Sequence, residues 1–75
     1  MTYEKFNEEV NKGVEEALGG DAKEIAKTKS QPWYQSDIDD EFRLATELQA
    51  ERGANMTDEA YWTATIHTAV DNLIF

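Results

Sequence analysis

Apolar residues recur every three or four positions in three separate stretches of this chain, and no stretch of useful length alternates with a period of two. A repeat near 3.6 lines one face of a helix, whereas a half-buried strand needs strict alternation. The chain is therefore confined to helices packed face to face. Tyr3, Phe6, Val10, Gly13 and Ala17, with Val14 beside them, form the first stripe and predict a helix over 3–18. Ile38, Phe42, Ala45 and Leu48, with Leu44 at the margin, predict a second over 37–52. Trp62, Ile66, Ala69, Val70, Leu73 and Ile74 form the inward face of a third, which runs from Thr57 toward the C-terminus.

The ends of these stretches carry matching signals. Thr2 is placed to cap the first helix and Gly19-Gly20 to stop it. Ser36 is the expected N-cap of the second, with Asp39 at the capping-box position, and Gly53 its expected end. Thr57 caps the third, Asp58 and Glu59 fill its first turn, and Met56 can staple onto Tyr61. Between the first two lies a weaker segment. Asp21 with Glu24 has the form of a capping box, and a short helix over 22–27 would be anchored by Ile25 alone. Residues 28–32 then read as a connection, because the residue before Pro32 avoids the helical region. The expected fold is all-α, one domain over 1–75, a compact three-helix bundle that becomes four-helix if 21–31 folds. Gly13 lies on the apolar stripe, where glycine costs ~1 kcal/mol against alanine. It predicts a close approach by another helix. Glu8 and Lys12 make an expected i,i+4 pair, and Phe75 is expected to dock on its own domain or on a second subunit.

A domain of this size buries only about 60% of its unfolded surface. No cysteine is present, which removes disulfides, thiolate metal sites and thiol catalysis together. Sixteen acids against seven bases give a formal charge of −9. Such a field repels nucleic acid and anionic membrane and is drawn to basic surfaces. The start, Met1 to Phe6, lacks a basic, apolar leader, so a cytoplasmic protein is expected, and the sequon at Asn55-Met56-Thr57 carries no weight.

Templates for chemistry fail on counting. The one histidine, His67, has Asp71 four residues after it and no ligand-type residue three or four before it. Zinc needs three or four matched ligands. Read as an EF-hand loop from Asp37, the required glycine and glutamate fall on Phe42 and Leu48. Gly19-Gly20 lacks the lysine and hydroxyl residue of a phosphate loop. No cofactor and no enzymatic activity are expected.

The acid is unevenly placed. Residues 1–35 hold seven acids and five bases, a net of −2, while residues 36–75 hold nine and two, a net of −7. Asp37, Asp39, Asp40 and Glu41 crowd the expected first turn of the second helix, where its dipole favours negative charge. Asp39 and Arg43 have the spacing of an ordinary ion pair. Asp40, Glu47 and Glu51 fall opposite Phe42 and Ala45, about 10 Å and 6 Å apart along the axis. Asp37 and Glu41 flank the apolar face, and Glu59 and Asp71 extend the field. A carboxylate row of this kind can occupy a site meant for a nucleic-acid backbone. Trp33 and Tyr34, just after Pro32, either plug the edge of the core or serve as binding anchors.

The opening Tyr3-Glu4-Lys5-Phe6-Asn7-Glu8-Glu9-Val10 resembles the first helix of some small phage and mobile-element proteins. Size, charge and helicity resemble those of acidic phage inhibitors of restriction and CRISPR systems, several of which mimic DNA. What this resemblance implies is a protein that binds a basic, nucleic-acid-binding protein rather than nucleic acid or membrane. Asp37, Asp40, Glu41, Glu47 and Glu51 would supply the field, with Trp33 and Tyr34 as anchors. Two alternatives stand beside it. One is an assembly subunit that homo-oligomerises through exposed Trp33, Tyr61 and Phe75. The other is an immunity or regulatory protein for a specific toxin. A monomer or a homodimer fits the sequence.

Overall fold

Four helices make up the fold: α1 (Tyr3–Ala17), α2 (Ala22–Lys29), α3 (Tyr34–Arg52) and α4 (Asp58–Ile74). The computed structural model describes residues 1–52 and 55–74, with Arg52 described by its backbone alone. The expectations for Gly53 and Phe75 lie outside those residues. No strand occurs among the described residues, and the all-α bundle is the four-helix form.

Helix α1 begins and ends as its capping residues dictate. Thr2 Oγ1 accepts from Lys5 N at 3.2 Å. At the other end Gly19 N donates to Glu16 O and Gly20 N to Glu15 O, each at 3.0 Å. Those two bonds need a left-handed turn, and Gly19 and Gly20 supply it with φ of 67° and 74°. Helix α2 does form, over two more residues than expected. Asp21 Oδ1 accepts from Lys23 N and Glu24 N. None of its residues is buried, and Lys29 holds it to α1 through Glu15 at 3.5 Å.

Helix α3 starts three residues before the expected position, which overturns two readings. Asp37 N already donates to Trp33 O at 2.9 Å, so Ser36 lies inside the helix. Its hydroxyl donates back to Trp33 O and does not cap. Asp39 accordingly has no place in a capping box. It accepts instead from Tyr3 Oη on α1, and Gln35 Nε2 lies 3.1 Å from the same carboxylate. The reason for the early start is Tyr34. Its ring is 3% exposed, and its hydroxyl donates to Asn11 Oδ1 at 2.6 Å. Burial of that ring against α1 holds the first turn of α3 in place.

Helix α4 starts where expected, with Ala60 N donating to Thr57 Oγ1 at 3.1 Å. It packs against both α1 and α3, and Trp62, Ala69, Val70 and Leu73 are buried between them. Phe6, Phe42 and Trp62 meet there from three helices, with ring centroids 5.3–5.9 Å apart. Among the described residues, the Trp62 indole Nε1 has no hydrogen-bond partner at this junction. Tyr61 is buried as well and donates to Ala45 O, so it is not the exposed surface that a subunit contact would need.

Gly13 is the close approach it was expected to be. A Cβ there would stand 2.6 Å from Val70 Cγ2, inside any allowed contact. Valine is stiff at χ1 and cannot swing aside. Gly13→Ala should therefore destabilise the fold by about 1–3 kcal/mol despite alanine's better helix propensity. Denaturant unfolding checks this, and Val70→Ala in the same chain should recover part of the loss. Burial, with the nearby Glu15 charge, pushes the Tyr34 hydroxyl up to about 12. An unfolded tyrosine titrates near 10. The stability this group contributes is thus complete below about pH 10 and lost as pH rises through about 12. Tyrosinate absorbance should show a late phase that Tyr34→Phe removes. That variant should also lose about 1 kcal/mol, because Asn11 Oδ1 loses its donor.

Candidate binding face on helix α3

At about 100° per residue, Asp37, Asp40, Glu41, Glu47 and Glu51 fall within one sector about 120° wide on α3. Asp40, Glu47 and Glu51 are exposed, and Asp37 and Glu41 are half-buried. The sector therefore gathers all five acids expected to supply a field. It faces away from Phe42, which packs on α1, and borders the seam between α3 and α4.

Two features of the sector differ from the expected row. Arg43 does not pair with Asp39. It lies 3.9 Å from Asp40 and 3.4 Å from Glu47, bridging the row from one side. All three side chains are solvated, so each bridge contributes little to stability. Its effect is on the field, which it partly neutralises at that flank. Asp39 belongs to a different assembly altogether. Gln35 Nε2 reaches Tyr3 Oη at 3.0 Å and Asn7 Oδ1 at 2.9 Å, and Asn11 Nδ2 donates to Asn7 O at 2.8 Å. This polar stripe joins α1 to α3 on the far side from the acidic sector.

The second difference is apolar. Leu44 sits at the centre of the sector, one turn from Asp40, Glu41, Glu47 and Leu48, and is 47% exposed. Beside it runs a groove of about 250 Å³ lined by Leu44, Ala45 and Leu48 of α3, Tyr61, Ala64, Thr65 and Thr68 of α4, and Met56. Among the described residues, Glu41 is the one charged residue in that lining. Met56 is 41% exposed, so the expected staple onto Tyr61 leaves it open to solvent while both line the groove. Past Glu41 the seam turns acidic, lined by Asp37, Asp40 and Asn72. Asn72 Nδ2 donates to Glu41 Oε1 at 3.4 Å. Leu73 continues the seam to the hollow beneath Trp33.

The two aromatic anchors separate. Trp33 is 40% exposed at the end of the seam, where it remains a surface group. Tyr34 is a core residue, so its expected role as an exposed anchor does not hold. Leu44, Leu48 and Met56 were not foreseen as part of the site. Their signal lies in the i,i+4 spacing of two leucines within the acidic sector, which the apolar stripe around Ile38 and Phe42 had absorbed.

His67 is exposed on α4 in a separate groove with Glu9, Lys12, Glu16 and Asp71. No group of three or more histidine, cysteine or acidic side chains among the described residues is placed to hold a metal ion. No helix among them is long and apolar enough to cross a membrane. Set against protein families, curated proteins and solved structures, the chain matches none.

Proposed function

We propose that this chain is a non-enzymatic acidic binding protein that occupies a basic, nucleic-acid-binding groove on another protein, as anti-CRISPR and antirestriction inhibitors do. The observation that carries this reading is the convergence of Asp37, Asp40, Glu41, Glu47 and Glu51 on one sector of α3. Carboxylates spread along about 21 Å of helix present charge at intervals comparable to those of a nucleic-acid backbone. Such a surface is attracted over long range to the lysines and arginines that normally meet phosphates. The bound state then excludes nucleic acid by occupying its site.

Local structure does not account for this placement. With α3 starting at Tyr34, only Asp37 remains in its first turn, so the helix dipole explains little of the charge at Asp40 and beyond. Arg43 neutralises part of the row, which gives the reading a test with two signs.

The test is competition with DNA for basic nucleic-acid-binding proteins, restriction and RNA-guided nucleases among them, at low and high salt. Binding should weaken by about tenfold or more as salt screens the pair. Neutralising the row with Asp40→Asn, Glu47→Gln and Glu51→Gln should weaken it further, and Arg43→Gln should strengthen it. Each set of substitutions should move stability by only about 0.5 kcal/mol, since the groups are solvated. Unchanged affinity in the triple variant would overturn the reading.

A further inference from the structure

We infer that the α3/α4 seam is a slot for one basic amphipathic helix of the partner. Its apolar side chains would cover Leu44, Leu48 and Met56, and its lysine or arginine side chains would meet Asp37, Asp40 and Glu41. The inference rests on the acidic-binding reading above and adds the partner's apolar half and its secondary structure.

The seam has two ends of different chemistry joined at Glu41. One is lined by Leu44, Leu48, Met56 and Tyr61, the other by Asp37, Asp40 and Asn72. A purely charged occupant would leave the first end in contact with ions. A purely apolar one would desolvate the carboxylates of the second without pairing them. Only an occupant with apolar and basic groups side by side satisfies both. Leu44 stands one helical turn from Asp40 and Glu41, about 5–6 Å, so those groups on the partner must be similarly spaced. Positions i and i+4 of a helix have that spacing.

The walls of the seam also favour a helix. Helices α3 and α4 run antiparallel, since Gln49 contacts Asp58, Tyr61 contacts Ala45 and Asn72 contacts Glu41. A cleft between antiparallel helices receives a further helix along its length. From Asp37 to Leu48 the wall is about 16 Å long, room for about three turns. An extended segment would find no strand edge to pair with among the described residues, leaving its backbone groups unbonded over apolar side chains. The volume near 250 Å³ is small for a metabolite site but ample for one or two side chains. A second copy of this chain is a poor occupant, because at −9 each it would bring acid to acid.

The probe is a labelled synthetic helix of about four turns, with leucine at i, i+3, i+4 and i+7 and lysine elsewhere. Its control is a scrambled peptide of equal composition. Fluorescence anisotropy at low salt should show the amphipathic peptide bound about tenfold more tightly than the scramble. Leu44→Gln with Met56→Gln should abolish that difference, and the exposure of both residues keeps the fold intact, as unfolding curves would verify. Equal binding of both peptides, unaffected by those substitutions but lost in the Asp40, Glu47 and Glu51 triple variant, would overturn the slot while leaving the acidic face standing. Binding of neither peptide would overturn both. Sedimentation of the chain alone as a dimer that Leu44→Gln disperses would assign the seam to a second copy and overturn the inference.

Discussion

Phe6, Phe42 and Trp62 meet at one junction from α1, α3 and α4, and the rest of the structure depends on that meeting. A chain this small has one core, and aromatic rings supply the largest apolar area per residue. The junction also holds the buried Trp62 indole N–H, for which the described residues supply no acceptor. The junction forms only if α1 and α4 come close, and the absent side chain at Gly13 allows Val70 to fill that space. Helix packing at one point therefore fixes how the whole of α4 lies. The seam between α4 and α3 follows from it.

Polar side chains set the rotation of α3. Tyr34 and Gln35 engage Asn11, Asn7 and Tyr3, and the Tyr3 hydroxyl reaches Asp39. These contacts fasten one side of α3 to α1 and thereby aim the opposite side outward. Asp39 is drawn into that fastening, while Asp40, one position on, stays in solvent. Two adjacent aspartates in sequence thus stand in different settings, one tied to α1 and one in solvent. The burial of Tyr34 is the step that links them.

Much of the bundle was legible because its signals are local. Thr2, Gly19-Gly20, Asp21 and Thr57 act within a few residues of themselves, and each is found capping or stopping the helix it should. Gly13 was legible because a glycine on an apolar stripe has few other uses. The start of α3 was not. Ser36 and Asp39 satisfy a capping pattern, but tertiary burial of Tyr34 outweighs a cap worth about 1 kcal/mol. The acids of the candidate site were legible from helical spacing alone. Leu44, Leu48 and Met56 were not, because an apolar residue at the margin of a stripe is assigned to the core until the neighbouring helix is in place.

That neighbour changes what the acidic surface means. Charge alone steers association and sets its rate, but exposed ion pairs hold a complex weakly once formed. Residence depends on apolar contact that excludes water around it. Leu44 is exposed within a ring of carboxylates, so apolar surface that favours contact lies beside charge that favours water. On the proposed reading the two would divide the labour of binding: the acids would bring a basic partner to the seam, and Leu44 with Met56 would slow its departure. The same division bears on selectivity. A nucleic-acid-binding surface that offers only lysine and arginine would meet the acids and leave the groove empty, whereas one with an apolar residue a helical turn away would engage both. On that reading the groove, more than the net charge, would distinguish one basic protein from another.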